Sequence, residues 1–293
     1  MRQRAAFEAA IEAAPDDPHA FAVYGDWLAQ SGDARGELIS LQLLPSLDRR
    51  QRERVKALLY EPGIRCFAGP VAQWRWGFVH TATLMRQQAP GERVDLEKLL
   101  AHPSMRFVRA LSLGQEPMSE SLRVLEQAAP RVLSALTISS PRALELVTIP
   151  TTLPALEQLH LSVPELTGTL PALARLSSLE IAFLGWTETT AKQLFETNGS
   201  RLRSVKLIVS GELEAATVRD VLALPALEAL TIEASEMGVE AVAALEEGVS
   251  IERLTTLDLL RSGLTERAAK RVMQLSRRLP KLSSLVLGEA VES

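Results

Sequence analysis

The sequence predicts an α/β solenoid: a curved parallel sheet on its concave side, helices on its convex side, and an all-helical segment in front. Three observations carry this reading. A triplet spaced apolar-x-x-apolar-x-apolar occurs nine times, centred on Ala82, Leu111, Leu136, Leu159, Leu179, Val205, Leu230, Leu257 and Leu285. Successive centres keep the period of leucine-rich repeats, roughly 20–29 residues. That is enough for one strand and a return segment, a unit that buries its apolar face only by stacking on its neighbours. Residues 1 to 70 carry no such triplet. The boundaries read from this are a helical domain over 1–70 and a repeat domain of about nine units over 71–293.

The first segment reads as four short helices. Phe7, Ala10, Ile11 and Ala14 fall at i, i+3, i+4 and i+7, one stripe that Pro15 ends. Asp17 offers a carboxylate as N-cap, Pro18 has the backbone angle suited to the first helical position, and Ala20, Val23, Tyr24 and Trp27 form the next stripe. Gly32 is placed to end that helix in a left-handed conformation. Asp33 can cap a third helix carrying Leu38, Ile39 and Leu41, stopped near Pro45. A fourth, more charged helix runs to about Tyr60.

Within each triplet the last two apolar residues are two apart and share one strand face, and the residue between them points the other way. Helical patterns fill several return segments, most clearly Glu188–Glu196, Gly238–Glu247 and Thr265–Arg278. A strand, a connection and a parallel strand cross over right-handedly.

The run Pro15-Asp16-Asp17-Pro18, then Tyr24-Gly25-Asp26-Trp27-Leu28, then Gly32 through Gln42, with Gly77-Phe78-Val79 downstream, resembles the bacterial repeat-companion domain that precedes leucine-rich repeats. The match spans residues 5–85 and departs from that family's usual Ala at Gly25 and common Phe at Leu38. It implies a bacterial protein whose helices cap the repeats, and it implies no activity. A solenoid needs such a cover regardless, since its first rung and open strand edge are otherwise exposed, and Trp74, Trp76 and Phe78 are the packing residues expected at the junction; an independent binding module is the alternative for this segment. The repeats themselves resemble the ribonuclease-inhibitor-like leucine-rich type, but no Asn stands three residues past the triplets, so the turns must find partners in serine hydroxyls, water or irregular backbone.

The column projecting from the concave face reads Thr83, Ser112, Thr137, His160, Glu180, Lys206, Thr231, Asp258 and Val286. Early rungs are small; charge begins at His160, Glu180 and Lys206. Two residues further along the strands stand Ile208, Glu233 and Leu260, and Val163, Phe183, Val209 and Leu260 are read as an apolar rim, with Trp186 following. His160, Glu180, Phe183, Lys206, Ile208, Val209, Glu233, Asp258 and Leu260 are therefore the candidate contacts for a partner protein, a non-catalytic scaffold or adaptor being the function expected. Glu180 with Lys206 reads equally as a cross-strand ion pair.

Other chemistry finds little support. The four histidines fall in separate segments, and zinc-protease, paired-cysteine, Walker and nucleophile-elbow motifs are absent. No cofactor or metal is expected. Cys66 beside Arg65 would need a ligase domain to act as a thioester nucleophile. A regulator of an enzyme, such as a GTPase activator, is the alternative, with Arg86 and Arg261 as candidate loop arginines. The basic run Arg49–Lys56 lacks interleaved aromatics for stacking on bases, and a net charge of −4 argues against nucleic acid. No run reaches the roughly 20 apolar residues that span a bilayer. With one cysteine, a cytoplasmic location is expected. Neither the partner's identity nor the oligomeric state is written in these features.

Overall fold

The structure, a computed structural model, describes residues 2–66, 72–85, 95–114, 117–183, 188–248, 251–277 and 279–288. The chain divides into two compact units, Met1–Ser134 with Thr152–Ala155, and Ala135–Thr151 with Leu156–Ser293.

The first unit opens with α1 (Arg2–Ala13), α2 (Pro18–Gln30), α3 (Arg35–Gln42) and α4 (Arg49–Leu59). The Asp17 carboxylate accepts the His19 N–H at 2.9 Å and Pro18 starts α2; Gly32 follows its end at φ +76°. Asp33 lies one residue ahead of the formal cap of α3, yet its carboxylate accepts the Arg35 N–H at 3.0 Å and the Arg35 guanidinium at 3.1 and 2.8 Å. Asp48 and Gln51 form a reciprocal capping box on α4.

After the helices come β1 (Ala72–Arg75), β2 (Phe78–Met85), α5 (Leu96–Ala101), β3 (Ala110–Gly114) and α6 (Met118–Ala128). Antiparallel β1 covers one edge of β2, and β3 pairs parallel on the other side. The β1–β2 turn, Trp76-Gly77, is left-handed at both residues, φ +50° and +79°, the twist a two-residue hairpin prefers. It is locked against α3: the Gly77 N–H donates to Gln42 Oε1 at 2.7 Å, and a Cβ on Gly77 would lie 2.5 Å from Ile39 Cγ1. Gly36 is as tight against α2, where a Cβ would sit 2.4 Å from the Ala29 backbone nitrogen. Gly36, Gln42 and Gly77 are thus joints of α2, α3 and the hairpin.

The core of this unit is aromatic. Phe21, Tyr24, Phe78 and Phe107 are buried with Ile11, Leu28, Ile39 and Val132, and Phe7, Trp27 and Trp76 pack around them. Trp74 instead joins a smaller cluster with Leu38, Leu58 and Ile64. The Tyr24 hydroxyl, drawn into this core, donates to Glu8 Oε1 at 3.2 Å.

Burial pushes the Asp33 carboxyl up, but the hydrogen bonds from Arg35 outweigh it and hold the group below its ordinary 3.8. A depressed carboxylate stabilises the fold above its unfolded value and loses that contribution as pH falls through the folded one. Asp33→Asn is therefore expected to lower the melting temperature at neutral pH, with the gap to the parent narrowing as pH falls below the ordinary carboxyl value of 3.8. A penalty that does not change with pH would show that the carboxylate's charge is not what stabilises.

The second unit contains β4 (Ala135–Ser139), β5 (Leu144–Glu145), β6 (Gln158–Ser162), β7 (Leu166–Thr167), β8 (Ser178–Phe183), α7 (Glu188–Phe195), β9 (Ser204–Glu212), α8 (Ala215–Leu222), β10 (Ala229–Glu236), α9 (Val239–Glu247), β11 (Thr256–Arg261), α10 (Glu266–Ser276) and β12 (Ser284–Leu287). Seven strands form its sheet in the order β4-β6-β8-β9-β10-β11-β12, all neighbours parallel. The triplet centres pair across it: Leu136 with Leu159, Leu159 with Leu179, Leu179 with Val205, Val205 with Leu230, Leu230 with Leu257 and Leu257 with Leu285.

Repeat length decides what returns the chain. From Leu179 onward the centres are widely spaced and leave room for α7 to α10. The steps from Leu136 to Leu159 and from Leu159 to Leu179 are the shortest in the chain. There the return is β5 and β7, which pair with each other, and no α-helix forms.

The missing Asn ladder is replaced at the other end of the strands. The Glu157 carbonyl accepts the N–H groups of Ser177 and Ser178; those of Ser177, Arg203, Glu228 and Thr255 each accept two N–H groups from the next rung in the same way. Hydroxyls of Ser177, Thr255 and Ser283 reach the carbonyls of Glu157, Glu228 and Thr255 at 3.5, 3.1 and 2.9 Å. Buried Asn198 adds one side-chain bridge, accepting the Leu173 N–H and donating to the Pro171 carbonyl, both at 2.9 Å.

Candidate functional site

With the triplet residues turned into the core, alternation sends the intervening residues of β6, β8, β9 and β10 to the opposite face. Parallel pairing sets His160 beside Glu180 and Glu180 beside Lys206. Lys206 has Thr231 as its direct neighbour on β10, and its ammonium reaches diagonally to Glu233.

The result is a continuous ladder of charge. The Lys206 ammonium lies 3.1 Å from Glu180 Oε1 and 3.0 Å from Glu233 Oε1. At one end His160 Nδ1 stands 3.7 Å from Glu180, near it without hydrogen bonding; at the other Arg261 lies 3.8 Å from Glu233. Burial alone lowers the Lys206 ammonium, but hydrogen bonds to Glu233 and Glu180 outweigh it and raise the group, so it stays charged throughout the neutral range. Glu180, Lys206 and Glu233 are 25–33% exposed, partly desolvated and held in place by one another.

Arg261 reaches this ladder through an irregularity. Thr231 pairs with Asp258, but Glu233 pairs with Arg261, so β11 carries one extra residue. The Asp258 carboxylate turns back to accept the Leu260 N–H at 2.9 Å, leaving Leu260 53% exposed beside the ladder. Strict period-2 reading of the sequence misses Arg261 for this reason.

Of the sequence candidates, His160, Glu180, Lys206 and Glu233 come together directly, and Ile208, half-buried, faces the same side between Ala182 and Glu233. Asp258 sits three strands from Glu180 and serves the β11 bulge. Val209 corrects the sequence reading: it follows Val205 and Leu207 at even steps, so it points into the core and is buried, as is Val163. The Phe183 side chain, Trp186 and Arg86 lie outside the described residues.

The remaining chemistry stays dispersed. Among the described residues no group of three or more His, Cys, Asp or Glu is gathered as a metal ion requires, and no helix is long and apolar enough to cross a membrane. Within the basic run, Arg54 grips Glu37 at 2.7 and 2.6 Å, Lys56 pairs with Glu53 at 3.0 Å, and Arg52 donates to the Leu47 carbonyl. Those cations are engaged within their own domain.

No family model and no curated protein matches the chain. Among solved structures, the crystal structure of a Bacteroides fragilis protein from the Northeast Structural Genomics Consortium is similar, with 16% identity, 68% of this chain and 71% of that one covered, and a TM-score of 0.46. At that level the likeness identifies neither family nor activity.

Proposed function

We propose that the chain is a leucine-rich repeat protein of the ribonuclease-inhibitor-like type that docks another protein on the concave face of its sheet, without catalysis. The observation that supports this most is the Glu180–Lys206–Glu233 ladder with exposed Leu260 and half-buried Ile208 beside it. Fixed charges next to apolar anchors are what a protein interface uses: charge sets register, and apolar contacts supply most of the affinity. In this reading the N-terminal helices and β1 cap the first rung, their aromatic core closing over Phe78 and Phe107.

A zero-length carboxyl–amine cross-linker tests the placement. A partner purified from native lysate is expected to cross-link to Glu180, Lys206 or Glu233. Cross-links found only on the outer surfaces of α7 to α10 would move the interface to the helices and refute the reading.

A further inference from the structure

The first unit holds a second cluster that neither the repeats nor the ladder uses. Arg75, at the end of β1, and Arg109, just before β3, converge on one carboxylate: Arg75 Nη1 lies 3.1 Å from Asp16 Oδ1, and Arg109 Nη2 lies 3.4 Å from Asp16 Oδ2. Arg75 stacks on Trp76 with its guanidinium carbon 3.9 Å from the ring centre, and Arg109 is anchored through Nη1 to the Val132 carbonyl at 3.0 Å.

Two backbone irregularities build this place. Trp76 holds φ +50°, rare for an aromatic residue. Gln73 pairs with Thr81 while Trp74 pairs with Val79, so His80 is the extra residue of a bulge; bulges of this kind re-aim side chains. Arg75, Trp76, His80 and Arg109 line one shallow cleft over Phe21 and Phe107, with room for about one water-sized group.

The charge there is unbalanced. Two guanidiniums face one carboxylate, Asp16 is 61% exposed, and its contact to Arg109, at 3.4 Å, is long for a hydrogen-bonded pair. Exposed pairs of this kind contribute little stability, so Asp16 is displaced at small cost. The field at His80 agrees: burial, Arg75 and Arg109 together lower its imidazole despite Asp16.

We propose that the Arg75–Arg109 cleft is a docking site for a carboxylate presented by another protein, an acidic side chain or a chain terminus, which replaces Asp16 between the two guanidiniums. Asp16 shows that the spacing fits two oxygens of one carboxyl group, one to each arginine. This site stands apart from the sheet-face reading and does not depend on it.

The test is a titration of the full chain followed by the His80 ring resonances, assigned with His80→Gln. The probes are a capped tripeptide with central Glu, its Gln analogue, a tri-alanine peptide with a free C-terminus, and inorganic phosphate. In Asp16→Ala the Glu or free-terminus peptide is expected to shift His80 with a dissociation constant at least about fivefold lower than in the parent. The response should be lost in Asp16→Ala/Arg75→Gln. Which of the two peptides binds distinguishes side chain from terminus. Arg75 is the residue varied because Arg109 also holds the Val132 carbonyl, and melting curves verify folding. No shift with either carboxylate, an equal shift with the Gln analogue, or a response to phosphate alone would overturn the proposal.

Discussion

Leu159→Ala and Leu230→Ala are each expected to lower the free energy of unfolding by about 2–5 kcal/mol. Both residues are essentially unexposed, 1% and 0%, at the centre of their rungs, with a triplet leucine or valine paired on either side. Truncation removes three carbons from a site whose neighbours belong to separate rungs and cannot close the gap together. Leu285 holds the same place in the last triplet but is only partly buried, so Leu285→Ala should cost less than either. Urea unfolding of the three variants measures this; losses under about 0.5 kcal/mol at both inner positions would contradict the register.

Gly36→Val is expected to cost at least about 3 kcal/mol, by overpacking where backbone meets backbone. Its Cβ would stand 2.4 Å from the Ala29 nitrogen and 2.5 Å from the Gly25 carbonyl oxygen, and neither can retreat without parting α2 from α3. Gly32→Ala supplies the comparison. That glycine sits at φ +76° with no atom within 4 Å of its would-be Cβ, so only left-handed strain is incurred, about 1–2 kcal/mol. Equal penalties at the two sites in thermal or denaturant unfolding would mean the helices do not approach this closely.

What the sequence made legible was governed by local rules. Triplet spacing located the core leucines and valines, and burial at 0–1% of all those between Val79 and Leu259 follows from it; Asp17, Pro18 and Gly32 marked the ends of α2 because capping needs only neighbours. Period 2 also put His160, Glu180 and Lys206 on one face. It failed where the backbone departs from that period: Arg261 joins the ladder only because β11 gains a residue. Val209 was misplaced by attending to its position at a strand end instead of its parity. The Asp16–Arg75–Arg109 cluster joins residues 59 and 93 positions apart, a pairing no local pattern encodes. Repeat length bears on which connections are helical, since the short steps on either side of Leu159 do not leave room for a strand, two turns and a helix.

The ladder itself separates two roles that a stability measurement alone would confuse. Exposed or half-exposed pairs contribute about 0–1 kcal/mol each, so a purely structural ladder would leave little trace in melting and none in binding. The most direct test is the affinity of a captured and purified partner for the parent chain and for Lys206→Glu combined with Ile208→Asp, with folding checked by circular dichroism. Docking on this face predicts at least a tenfold weaker complex, about 1.4 kcal/mol, from a double variant that still folds; unchanged affinity in that folded variant would contradict it.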